Sequence, residues 1–165
     1  MPVTSVIKDA DTRSVTITAR FDASIERVWR VWSDPRQLER WWGPPGFPAT
    51  VTEHRLEPGG VVTYSMTGPE GDEHHGRWHV RAVDPPYALE FEDGFADADG
   101  RPRPELPTGL IRVALSELAG GSTQMVVTTT WASGEAMAQI LATGTDAGMT
   151  AAVDQIDALL ERRTT

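Results

Sequence analysis

The stretch from Gly134 to Arg163 constrains this chain more than any other. Its apolar residues fall at Met137, Ile140, Leu141, Met149, Ala152, Val153, Ile156, Leu159 and Leu160, the spacing of one helical face. Glu135, Gln139, Asp146, Asp154, Asp157 and Glu161 take the opposite side, and no proline interrupts. The reading is one long helix with one buried face. Gly144 and Gly148, four apart, fall on that face. A glycine inside a helix costs ~1 kcal/mol relative to alanine, so the pair needs a packing reason. Either a sheet approaches closely there, or the missing side chains leave a hollow.

The rest of the chain supplies the sheet. Val15, Ile17, Ala19 and Phe21 alternate with Thr16, Thr18 and Arg20, the period of a half-buried strand. Met1–Thr12 is polar and expected to be frayed. Ser24 is positioned to cap a helix carrying Val28, Trp29 and Trp32, the two tryptophans serving the core. Asp34 caps a second short helix with Pro35 at its first position. It runs to Trp41 or Trp42, where Gly43-Pro44-Pro45-Gly46 stops it.

From Pro48 to Trp131 strands and turns follow one another. Thr50–Leu56 leads to the turn Pro58-Gly59-Gly60, then Val62, Tyr64 and Met66 alternate with Thr63 and Ser65. After Pro69-Glu70-Gly71-Asp72, Trp78, Val80 and Ala82 share one side of a strand. His75, Arg77, His79 and Arg81 share the other. Leu89 and Phe91 face inward in a short strand, against Glu90 and Glu92. Gly94–Pro107 reads as a long acidic loop. Ile111, Val113 and Leu115, the Gly120-Gly121 turn, and Met125, Val127, Thr129 and Trp131 complete the series. Consecutive short connections favour a meander. Only the last helix is long enough to cover its apolar face.

The expected architecture is α+β: a curved antiparallel sheet wrapped around a long C-terminal helix, with two short helices after the first strand and room for a pocket between. A chain of 165 residues is expected to form one domain, residues 1–165. The absence of cysteine excludes disulfides and thiolate chemistry. No basic-then-apolar leader is visible, and no apolar run approaches the ~20 residues of a membrane span. A cytoplasmic location is the default. The net charge of -9 opposes nucleic-acid binding and adsorption to anionic membranes. Six tryptophans fill a large core or line a pocket.

Particular local sequences resemble the START-like or SRPBCC superfamily, the helix-grip fold. They are Phe21-Asp22-Ala23-Ser24 through Val28-Trp29, Trp32-Ser33-Asp34-Pro35, Leu38, and Trp41-Trp42-Gly43-Pro44. Phe47, Pro58-Gly59-Gly60, Gly68-Pro69-Glu70-Gly71, Gly76 and Pro85-Pro86 continue the series. Within the superfamily the chain is most similar to the activator of heat-shock protein 90 ATPase homologue type, common as small bacterial proteins. The resemblance spans Val15 to Leu160. It implies a small-molecule or lipid-sized hydrophobic cavity between sheet and helix, and no shared set of catalytic residues. Where the family often places tryptophan after a glycine in the last helix, this chain has Gly148-Met149, which bears on the pocket's floor and not on the fold.

Several chemistries lack their residues. His74 and His75 are adjacent and point to opposite faces, while His75 and His79 share a face with Arg77 and Arg81, so no metal site is expected. Asp97-Ala98-Asp99-Gly100 lacks the glutamate that would complete a calcium loop, the position being Thr108. No serine lies in a nucleophile elbow, and the glycine-rich segments are strand turns rather than phosphate loops. Glu53 and His54 are the weak catalytic candidates, because their strand does not alternate cleanly. In a dry pocket either would have a shifted pKa and could polarise a carbonyl, as in cyclases of this superfamily.

The candidate ligand-binding set is aromatic and apolar. Trp42 and Phe47 bracket the Gly43–Gly46 loop at the pocket mouth. Tyr64, Met66, Trp78, Phe91 and Trp131 face inward from the sheet, and Met137, Leu141, Thr145 and Met149 face them from the helix. Three functions stand open: a non-enzymatic binder of an apolar or aromatic small molecule oriented by Tyr64, a cyclase- or dehydratase-like enzyme using Glu53 or His54, and a chaperone-associated interaction module. No cofactor is implied, and the oligomeric state is open, a homodimer included.

Overall fold

The structure, a computed structural model, describes residues 2–161. The chain starts with a strand. β1 (Val3–Asp9) pairs antiparallel with β2 (Ser14–Phe21), so the expectation of a frayed N-terminus is corrected. The side chains of β1 are half-buried or exposed, so its sequence carries little alternation. The turn explains its order: Asp9 Oδ1 accepts from the backbone N–H groups of Asp11 and Thr12, at 2.9 and 3.3 Å.

Helices α1 (Ile25–Ser33) and α2 (Pro35–Trp41) follow with the expected caps. The Arg27 N–H donates to Ser24 Oγ at 3.3 Å, and the Arg36 N–H donates to Asp34 Oδ1 at 2.9 Å. Such a cap contributes about 1 kcal/mol. Six strands come next: β3 (Ala49–His54), β4 (Val61–Thr67), β5 (Glu73–Asp84), β6 (Ala88–Phe95), β7 (Gly109–Glu117) and β8 (Thr123–Trp131). They form one antiparallel sheet of eight strands in the order β1-β2-β8-β7-β6-β5-β4-β3. The β3–β8 meander is thus closed onto the first hairpin through β2 and β8.

Two irregularities change which side chains face inward. A bulge between Val51 and Glu53 breaks the alternation of β3. Another between Val80 and Ala82 inserts one residue into β5, which turns Ala82 out to solvent and leaves Val83 half-buried, against the expected shared face. β6 is also longer than its sequence suggests, running three residues past Glu92.

The expected single C-terminal helix is three segments: α3 (Gly134–Leu141), α4 (Thr145–Asp154) and α5 (Ile156–Glu161). Residues 162–163 of the expected helix lie outside the described residues. The main break is at Gly144, which sits at φ 80°. This left-handed conformation suits a residue without Cβ and ends a helix turn. Gly144 is therefore exposed, and the expectation that it lies on the buried face is corrected. The second junction is a single residue, Gln155, whose N–H donates to Ala152 O at 3.0 Å. Its side-chain Nε2 donates to Trp41 O and Gly43 O, at 3.2 and 2.8 Å. Carbonyls left over at the end of α2 are thereby satisfied by the C-terminal helices.

The helices cover one face of the sheet: α4 contacts β1 and β2, α5 contacts α1 and α2, and α3 contacts β8. This is the α+β helix-grip fold. The core beneath is divided. The larger cluster joins α1, α2, α5 and most of the sheet, and a smaller one consists of Val15, Ile17, Trp131, Met137 and Ile140.

Candidate ligand-binding site

Aromatic packing decides which end of the space under the helices is full. Trp32 meets Trp41 edge-on at 4.6 Å between centroids, and Trp42 meets Trp78 edge-on at 4.9 Å. Trp78 stacks on Phe91 at 3.9 Å with planes 19° apart. Each such contact is favourable beyond the area it buries, and together they fill this end. Trp29 and Trp32 are core residues, as expected.

Toward the smaller cluster the filling stops. A cavity of about 270 Å³ opens there, partly accessible to solvent. Ile17, Ile111 and Trp131 wall it from the sheet, Trp42 and Pro44 from the segment after α2, and Gly148 and Met149 from α4. A Cβ added to Gly148 would meet only Pro44 Cγ, at 3.9 Å. Of the two packing reasons for this glycine, a hollow rather than a close sheet is the one found. A wider groove of about 600 Å³, bordered by Arg40, Gly46 and Leu159, lies on the other side of the Gly43–Gly46 loop.

Of the expected ligand-binding residues, Trp42, Tyr64, Met66, Trp131, Thr145 and Met149 line the cavity. The others do not. Trp78 and Phe91 belong to the filled end. Met137 is buried in the smaller cluster, and Leu141 packs against its outside. Phe47 lies 6.0 Å from the His74 ring instead. The four on strands and helices sit at other depths along their elements than the hollow, and Phe47 lies in the loop between α2 and β3.

Glu53 and His54 also lie outside the cavity lining. Glu53 is exposed, and the His54 ring stands 3.4 Å from Trp32 O. The carboxyl group that does enter is Asp93, two residues beyond Phe91 on the inward face of β6. Sequence reasoning missed it by ending the strand at Glu92. The alternation Leu89, Phe91, Asp93 was the available signal.

Tyr64 and Asp93 form the polar fixture of the cavity. The Tyr64 hydroxyl donates to Asp93 Oδ1 at 2.7 Å. To do so it crosses β5 at Gly76, its register partner. A Cβ on Gly76 would stand 2.2 Å from both Cζ and the hydroxyl oxygen of Tyr64, so only glycine admits this crossing. Burial raises the Asp93 pKa from the ordinary carboxylate value of 3.8 to about 7, partly offset by the Tyr64 hydrogen bond. Burial, and then the neighbouring carboxylate, push the Tyr64 phenol well above 10. Both residues are half-buried by area, and both line the cavity with what remains. Trp42 Nε1 lies close enough to the hydroxyl to favour its ionised form. Its N–H has no partner of hydrogen-bonding geometry.

Among the described residues no three His, Cys, Asp or Glu side chains are placed to hold a metal ion, and no helix is long and apolar enough to cross a membrane.

Comparison with known proteins gives a consistent answer. Residues 22–161 match the family described as Activator of Hsp90 ATPase homolog 1-like protein. A Mycobacterium smegmatis protein of known crystal structure is 48% identical, with a TM-score of 0.88 over 96% of this chain and 97% of that one. An Arthrobacter aurescens protein solved in solution is 44% identical, with a TM-score of 0.92 over 99% of this chain and 94% of that one. A Silicibacter pomeroyi protein bearing the family's name shares the fold at 20% identity, with a TM-score of 0.70 over 90% of this chain and 97% of that one. No curated protein matches the chain.

Proposed function

The chain belongs to the family of Activator of Hsp90 ATPase homolog 1-like proteins, and from that premise we propose that it binds an apolar or aromatic small molecule between sheet and helices. The observation that carries this reading is the hollow of about 270 Å³ left between two otherwise well-filled clusters. Its walls are mostly apolar with a few polar groups among them, as ligand pockets usually are. The volume lies near the low end of the ~300–1,000 Å³ typical of such pockets. A compact ligand of one or two rings therefore suits it better than a sterol.

Tyr64 takes a different part from the one its sequence position suggests. Its hydroxyl is engaged by Asp93, so the polar contact offered to a ligand is the carboxyl group that Tyr64 holds in place. The enzymatic reading loses the residues it named, since neither Glu53 nor His54 lines the cavity. The chaperone-associated reading rests on the family's name alone.

Native mass spectrometry of freshly purified protein, followed by thermal shift against compact aromatics, fatty acids and sterols, tests the proposal. A co-purifying mass or a dose-dependent rise in Tm supports it, provided that Gly148→Phe, which fills the hollow, removes the effect. Protein that carries nothing and responds to no compound would sink it.

A further inference from the structure

The charges around the cavity are one-sided. Asp93 and Asp146 line it, and among the described residues no lysine or arginine does. Asp146 is already paired with Lys8 at 2.5 Å. Asp93 has only the neutral Tyr64 hydroxyl on Oδ1, and no hydrogen bond to Oδ2 is found among the described residues. Its register partners, Trp78 on β5 and Gly109 on β7, carry no charge. Of the two histidines in the lining, His74 has its Nε2 2.7 Å from Asp72 Oδ2, and His75 has its Nε2 4.0 Å from Glu73, beyond hydrogen-bonding distance.

A carboxylate in apolar surroundings is costly until a cation joins it. Trp42, Tyr64 and Trp131 add aromatic rings to the same walls, and aromatic faces attract ammonium groups. The net charge of -9 over the whole chain enriches cations near the protein and repels anions. An anionic ligand such as a fatty acid would have to bring its carboxylate toward two others.

We infer that the cavity takes a compact apolar molecule bearing one protonatable amine, its ammonium seated on the free Asp93 carboxyl oxygen and its ring along Ile111, Trp131 and Met149. The inference rests on the ligand-binding reading above and narrows it to a chemical class. Tyr64 holds Oδ1 and so leaves Oδ2 for the ligand. The raised Asp93 pKa has the direction expected of a carboxyl group that still lacks its cation.

Three probes with one ring and different heads test this: naphthylmethylamine, naphthylmethanol and naphthoate, titrated calorimetrically into the full chain and into Asp93→Asn. At about pH 8, the amine is expected to bind about ten-fold or more tighter than the alcohol or the acid, equivalent to about 1.4 kcal/mol. Asp93→Asn is expected to abolish that preference, bringing the amine and the alcohol within about three-fold of each other. Wild-type protein offers a second readout that needs no variant. Amine affinity falls toward about pH 5.5, where Asp93 is protonated, and alcohol affinity stays flat. Alcohol or naphthoate binding as tightly as the amine would overturn the amine assignment and leave the cavity reading standing. No binding by any of the three would count against both.

Discussion

Tyr64 and Asp93 lie on strands that are not neighbours, and the hydroxyl of one reaches the carboxyl of the other at 2.7 Å by passing over Gly76 of the strand between them. Three strands thus contribute to one polar contact in the cavity wall, and each contribution can be removed separately.

Replacing Gly76 by alanine puts a methyl group where the Tyr64 ring lies. Overpacking of this kind costs about 1–3 kcal/mol, and the displaced ring loses its hydrogen bond to Asp93. Urea denaturation of Gly76→Ala should show this loss with an unchanged m-value. A Gly76→Ala protein as stable as wild type would place the Tyr64 ring elsewhere.

Tyr64→Phe keeps the ring and removes the donor. Asp93 then loses the one interaction that holds its pKa down, so its titration moves above about 7. Leaving a half-buried carboxyl without its donor costs about 1–3 kcal/mol at alkaline pH. Carbon-detected NMR of the Asp93 carboxyl follows the titration directly. A midpoint that stays put or falls would contradict the hydrogen bond.

The pH dependence of stability has a definite sign. Asp93 is raised from 3.8 in the unfolded chain to about 7 in the folded one. Between those values the native state therefore binds more protons than the unfolded state, and stability declines as pH rises through that window. The decline amounts to something on the order of 2 kcal/mol once the solvent reaching the carboxyl from the cavity is allowed for. Asp146 acts oppositely and at lower pH, because its hydrogen bond from Lys8 depresses its pKa. Its stabilisation is present above the unfolded value of 3.8 and is lost as pH falls through the depressed one. Chemical denaturation from about pH 4 to about pH 8 should show the decline in wild type and a flat profile in Asp93→Asn.

Two glycines four residues apart should respond to alanine with opposite signs. Gly144 has φ 80°, a conformation that costs a residue with Cβ about 1–2 kcal/mol. Gly148 is inside α4 with space beside it, so alanine there adds up to ~1 kcal/mol of helix propensity. Tm should fall for Gly144→Ala and rise for Gly148→Ala. Shifts of the same sign would mean that the C-terminal segment is not broken at Gly144.

The fold was largely legible because its signals are local. Alternation in strands, Ser24 and Asp34 before helices, and glycine or proline at turns each act over a few residues, and each appears where expected. The helix break was harder, since helical spacing continues across Gly144 and only its backbone angle separates the segments. The site was legible only as a face. Trp78, Phe91 and Met137 point toward the interior as their periodicity implies, but periodicity says nothing about depth along a strand or helix. Asp93 was hidden by its neighbour, because Asp93-Gly94 reads as a turn dipeptide although the strand runs through it. The first strand escaped notice because its order comes from the edge it pairs with rather than from its own pattern.

The front of the chain also fastens the roof of the chamber. Lys8 grips Asp146 at one end of α4, and the Val3 N–H donates to Asp154 Oδ1 at the other, 3.2 Å away and 151 positions later in the chain. Trimming the first nine residues would remove both fastenings at once and free the helix that roofs the cavity. Tags and truncations at this terminus therefore act on the shape of the cavity, not merely on solubility.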